Sequence, residues 1–310
     1  MTVKKTNALF LTIVVINLLL VFAMIFYYLL FPNEPLPDFQ TNILLSEGIM
    51  FVPALLLLFV MKGQDKVNDL LGFHTVHLST VALTILFTIL IMPLATLLNA
   101  ISMLFVENVV SSYSEEMLEM PFWQVFLIVA VVGPFCEEVI FRGIIYHGYR
   151  KSRNLVLSVI FSALLFGLIH MNFNQALYAF GLGIMLALLC EATGSVWMTF
   201  LAHMIFNGEN VAILFLEEKF FPEVYEQAQE MAFTQQDLLM TIGVYMIIAL
   251  VGTTLAFLLV NKIAKDEQRY DFLSVVWGTR HNHAEKMVTW PLVMAIILCV
   301  AYMIVSTFAM

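Results

Sequence analysis

Charge is scarce in this chain: Asp, Glu, Lys and Arg make up 12% of its 310 residues, about half the share usual in a soluble domain. With 61% of the residues hydrophobic, there is more apolar surface than a water-soluble fold can hide, which excludes an ordinary soluble enzyme. Basic residues are scarcer still, with 14 Lys and Arg against 23 Asp and Glu and a net charge of -9. That excludes nucleic acid as a partner, because a phosphate binder needs a basic face. The three cysteines, Cys136, Cys190 and Cys299, sit in apolar runs without CxxC spacing, so neither a zinc knuckle nor a redox motif is indicated. They read as small buried hydrophobes. HExxH, GxSxG, internal repeats and low-complexity tracts are also missing.

What the chain has instead is long hydrophobic runs. A helix needs about 20 apolar residues to cross the hydrocarbon core, and runs of that kind fall near 8–31, 43–61, 79–105, 121–147, 155–171, 174–191, 195–216, 237–261 and 289–309. The expectation is an all-α integral membrane protein, a polytopic helical bundle of eight to nine transmembrane helices, nine if all span and eight if one is re-entrant. The first run follows Lys4 and Lys5 but is too long for a signal-peptide core and lacks an A-x-A-like site, so it reads as an uncleaved helix. Lys and Arg recur in alternate loops, at Lys62 and Lys66, at Arg150, Lys151 and Arg153, and at Lys262, Lys265, Arg269, Arg280 and Lys286. By the positive-inside rule this places the N-terminus inside, and a bacterial plasma membrane is the expected location. Residues 110–120 and 217–236 read as surface segments on the outer face, and 263–287 as an inner loop. His281 and His283 in that loop read as solvated surface, since a dedicated metal site needs more ligands. Three regions follow: N-terminal helices over 1–120, a core over 121–216, and the outer segment, inner loop and last helices over 217–310. The acidic outer residues Glu217, Glu218 and Glu223 would attract a cationic peptide.

An ionisable residue inside a span costs several kcal/mol and therefore marks a functional site. Such residues concentrate in three successive motifs. In Glu137-Glu138-Val139-Ile140-Phe141-Arg142, Glu138 and Arg142 stand i, i+4 with the acid first, the favourable order for a helical ion pair. Glu137 points about 100° away and needs a partner from elsewhere. His170, in Phe166-Gly167-Leu168-Ile169-His170, lies about as far past the basic turn at 148–154 as Glu137 lies before it. At about 1.5 Å per residue the two share a depth. His203 and Asn207 are i, i+4 on one face of a later span, and their depth overlaps that of Glu137.

A desolvated carboxylate beside an imidazole is suited to activating water. In that reading Glu137 is the base, His170 orients the water or passes its proton to a leaving amine, and His203 and Asn207 donate to a developing oxyanion. Glu138 and Arg142 form a structural ion pair. Cys136 is a weak nucleophile candidate because neighbouring helical side chains diverge. Zinc held by Glu137, His170 and His203 is an alternative that spacing leaves open. A proton-coupled transporter would use similar residues but would show repeats, and a non-catalytic membrane scaffold or immunity protein would use them as glue between helices.

Taken in order, Glu137-Glu138-x-x-x-Arg142, Phe166-x-x-x-His170 and His203-x-x-x-Asn207 resemble the three motifs of the CPBP family. That family groups type II CAAX prenyl endopeptidases with bacterial bacteriocin-processing and immunity proteins, also called Abi proteins. The resemblance covers roughly residues 121–210. It implies an intramembrane endopeptidase in which Glu137 and His170 activate water without a bound cofactor, with His203 and Asn207 as the oxyanion site and Glu138 and Arg142 as support. The partners it implies are membrane lipids and a peptide or lipidated protein substrate.

Overall fold

The computed structural model describes all residues except 1, 35–36, 62–71, 153, 224, 226–233, 271–284 and 310. The described helices are α1 (Val3–Leu30), α2 (Phe39–Met61), α3 (Leu78–Ser102), the short α4 (Ser114–Leu118), α5 (Phe122–Arg150), α6 (Leu155–Leu168), α7 (Phe173–Thr193), α8 (Val196–Phe220), α9 (Gln235–Asp266) and α10 (Trp290–Ala309). No strand occurs among the described residues, and eight of these helices are long and apolar enough to cross a membrane. The protein is an all-α polytopic membrane protein.

The run expected to be a fifth span departs from the others. Helix α6 has 14 residues, about 21 Å of rise and short of a hydrocarbon core of about 30 Å. It stops because Asn172 already belongs to the next helix: its side chain accepts from the Gln175 N–H as the N-cap of α7, and its amide nitrogen donates to the His170 carbonyl. The tight hairpin that results puts Met171 at φ 54°. Gly167 lets α6 and α7 close, since a Cβ there would stand 2.6 Å from the Ala176 carbonyl oxygen. His170 thereby sits in the α6–α7 hairpin, its carbonyl held by Asn172.

Burial sorts the helices. Over an 18-residue stretch 72% of α7 and 61% of α5 is buried, against 17–28% in the other six membrane helices. These two form the centre, and the rest present apolar side chains outward, as lipid contact requires. At the end that holds the N-terminus, Asn7 ties α1 to α5 and to the segment leading into α10: its amide nitrogen donates to the Met287 carbonyl and the Thr289 hydroxyl, and its oxygen accepts from the Tyr149 hydroxyl. At the opposite end Phe39 packs on Tyr113, and Met117 and Val211 share a cluster with it. The segment expected as surface over 110–120 contains short helices over 111–118, whereas α8 runs on through 217–220. The basic residues Lys62, Lys66, Arg153 and Arg280, together with Trp277, His281 and His283, lie outside the described residues.

Glu267, just past α9, caps the start of α3. It accepts from the His77 N–H at 3.0 Å and from the Thr80 hydroxyl, and stands 3.1 Å from His77 Nδ1. Partial burial pushes its carboxyl up, but the donors from Thr80 and His77 outweigh that and hold it below the ordinary 4.5. A carboxyl that titrates lower in the folded chain stabilises the fold above its unfolded value, and that stabilisation fades as pH falls through the folded one. Glu267→Gln is expected to cost about 1 kcal/mol near neutral pH and to flatten this acid-side loss. Thermal unfolding followed by circular dichroism from about pH 7 to about pH 3 reads both effects.

Candidate active site

The site is built on α5, α6 and α8, with α2 and α7 packed against them. Helix α5 is irregular around its carboxylates. Residues Phe126–Val132 and Val139–Tyr146 take π-helical hydrogen bonding on either side of the α-helical Gly133–Glu138, an insertion often found at functional sites. In the first π segment the Gly133 N–H reaches the Ile128 carbonyl. In that register the next donor, at residue 134, would serve the Val129 carbonyl, but Pro134 has no N–H. Asn207 Nδ2 takes its place, donating to the Val129 carbonyl at 3.0 Å. One amide hydrogen of Asn207 thus locks α8 onto α5, a link that spacing alone did not reveal.

Glu138 and Arg142 form the expected pair. Arg142 Nη1 stands 2.5 Å from Glu138 Oε1, and the two side chains are 2% and 0% exposed. The guanidinium also lies 4.3 Å above the Phe166 ring and directs Nη2 to the Gly183 carbonyl at 3.5 Å. Phe166, which the sequence presented only as a neighbour of His170, is the floor for this buried cation; arginine stacks on aromatic faces where lysine would not match the geometry. The second oxygen of Glu138 has no hydrogen-bond partner. The nearby Thr199 hydroxyl is directed to the Val196 carbonyl at 2.9 Å.

Both histidines turn the same atom toward Glu137. His170 Nδ1 stands 2.8 Å from the Phe166 carbonyl; a carbonyl only accepts, so the proton is on Nδ1 and the Nε2 lone pair is free. His203 Nδ1 stands 3.0 Å from Glu138 Oε1, and a carboxylate paired with arginine accepts likewise. The two Nε2 atoms then face the same carboxylate, His170 at 3.9 Å from Glu137 Oε1 and His203 at 3.5 Å from Glu137 Oε2. The side chain of Glu137 is 12% exposed. Both gaps exceed a direct hydrogen bond, and a water seated to one side could touch the carboxylate and a ring nitrogen together. His203 thus joins the two adjacent glutamates, a role that spacing did not assign. No set of three His, Cys, Asp or Glu side chains among the described residues is arranged to hold a metal ion.

Two carboxyls escaped the sequence reading. Glu191 is buried on α7, where it accepts from the Tyr146 hydroxyl and pairs with Arg150 at 2.8 Å. Glu47, a lone acid in an apolar run, is 9% exposed on α2. The expense of an acid inside a span was the signal for it, but it lay in no motif.

Residues 119–208 match the family model described as Rce1-like, type II CAAX prenyl endopeptidase. This matched segment carries every residue of the site on α5, α6 and α8, so the similarity to that family lies in the site itself. A curated relative, "Putative membrane peptidase YdiL" of Bacillus subtilis (strain 168), is 30% identical over 81 residues. That match covers 26% of this chain and 33% of the relative, so the chain spans about a third of the length of the relative it matches. No solved structure matches the chain.

Proposed function

We propose that the protein is an intramembrane endopeptidase that hydrolyses a peptide bond of a membrane-associated peptide or protein through water activated by Glu137 and His170. The observation that carries this reading is a largely buried carboxylate with two imidazole Nε2 atoms within 4 Å of it. A water there donates one hydrogen to Glu137 and one to His170 Nε2. As its oxygen attacks the carbonyl carbon, Glu137 takes the proton and later returns it to the leaving amine. The developing oxyanion is met from α8. The second amide hydrogen of Asn207 is one donor, and His203 is the other when it takes a second proton at Nε2 from solvent water before the attack and keeps it through the step. Glu138 on the far side of that ring offsets the charge this creates. The N-terminal helices, the α9–α10 region and the outer acidic residues choose the partner.

The test is cleavage of a fluorogenic peptide library by purified protein in detergent, in water enriched with oxygen-18, with and without chelator. Activated water predicts one heavy oxygen in the new carboxyl group after a single turnover, no hydroxamate when hydroxylamine is added, and full activity for Cys136→Ala. An acyl-enzyme trapped by hydroxylamine refutes the mechanism. Activity lost with chelator and restored by zinc refutes its independence from metal. Wild-type protein that cleaves nothing, while still binding a membrane protein partner, moves the assignment to a scaffold.

A further inference from the structure

Glu47 stands apart from the other acids of the membrane region. Glu138 has Arg142 and His203, Glu191 has Arg150 and Tyr146, and Glu137 has two imidazoles. Glu47 is 9% exposed, its Oε2 has no hydrogen-bond partner, and it forms no ion pair among the described residues. Its place is defined by Gly133: Glu47 Oε1 lies 3.5 Å from where a Cβ on that glycine would be. Gly133 and Glu137 are i, i+4 within the α-helical segment of α5 and share a face. Side chains lean toward the helix N-terminus, so the carboxylate of Glu137 reaches over the turn that Glu47 occupies. This side of α5 therefore brings Glu47 beside Glu137, next to the Glu138–Arg142 pair.

A buried carboxyl without a donor costs free energy in the unliganded protein, and a ligand that brings a cation removes that cost. We infer that Glu47 is a specificity residue that receives a lysine or arginine side chain of the substrate close to the scissile bond, so that the preferred substrates are basic peptides. Glu115, Glu119 and Glu218 line an open cleft of about 420 Å³, at the bundle end from which α2 starts, and carry the same sign. This inference rests on the protease reading above.

The experiment compares pairs of fluorogenic peptides that differ only in lysine against norleucine, moved through each position flanking the cleaved bond. A charge-assisted contact at a buried carboxylate predicts that wild-type protein prefers lysine at one position about ten- to a hundred-fold in kcat/KM. Glu47→Gln is expected to abolish that preference by slowing only the lysine peptide, while the norleucine peptide reports intact folding and catalysis. If Glu47→Gln is poorly folded, Glu47→Lys with a glutamate peptide repeats the test with charges reversed. No lysine preference at any position overturns the inference and leaves the protease reading standing, as does an equal loss on both peptides, which would give Glu47 a proton-holding role. Cleavage of neither peptide by wild-type protein overturns the protease reading and this inference with it.

Discussion

Glu137→Gln is expected to abolish peptide hydrolysis while leaving the fold intact. The side chain keeps its volume and can still hydrogen-bond, but it can no longer accept a proton, and loss of a positioned base costs about 10²- to 10⁴-fold. The amide also puts an NH2 donor where the carboxylate had a second acceptor, which misorients the bound water, so the measured fall should lie at or beyond the upper end of that range. The fold should survive because Glu137 makes no direct hydrogen bond among the described residues; its nearest partners are 3.5 and 3.9 Å away. Retained melting temperature with lost kcat is the expected pair of results. A variant with more than about a tenth of wild-type kcat would show that another group is the base. His170→Ala should fall in the same assay by lowering kcat rather than by raising KM, since its Nε2 faces the water and not a substrate side chain.

Removing the positive charge beside Glu138 should be the most damaging structural change. In Arg142→Met, Glu138 remains fully buried with only the His203 Nδ1–H to answer it. An uncompensated buried charge costs about 3–5 kcal/mol, enough to unfold a marginally stable membrane domain or prevent its accumulation. The double change Glu138→Gln, Arg142→Met should recover most of that loss, because replacing both members of a buried pair is often close to neutral. It should not recover activity, since His203 would then lack the carboxylate that fixes its ring. Arg142→Lys should fall between, keeping the charge but losing the stack on Phe166 and the contact with Gly183. Expression level and melting temperature in detergent read the first effect, and cleavage rate reads the second. If the double variant were no more stable than Arg142→Met, the pair would not be the source of the loss.

Much of this arrangement was legible in the sequence. Glu138 and Arg142 could be paired from their spacing, and the helical hairpin could place Glu137 opposite His170. In both cases the relation is set by rise and turn along one or two adjoining helices. Helix α6 was read as a full span because hydropathy continues through Ile169. What ends it is the capping geometry of Asn172, which hydropathy does not weigh. Asn207 was assigned to the oxyanion alone because the missing N–H of Pro134 matters only in a π-helical register, and residue spacing does not announce that register. Glu47 went unremarked because its meaning depends on Gly133, 86 residues further along the chain.

The sequence by itself determined the membrane class, the helices and the set of polar residues that share each helical face. Few charges leave no other solvent for the apolar runs, and backbone hydrogen bonding fixes the angle and depth of residues four apart. Only the tertiary structure decided which faces meet: that His203 stands between Glu137 and Glu138, that Phe166 supports Arg142, and that Glu47 closes on Gly133. Those relations depend on how closely two backbones approach and on which donor fills which vacancy. Both are properties of packed pairs of helices, and no single helix carries them in its own sequence.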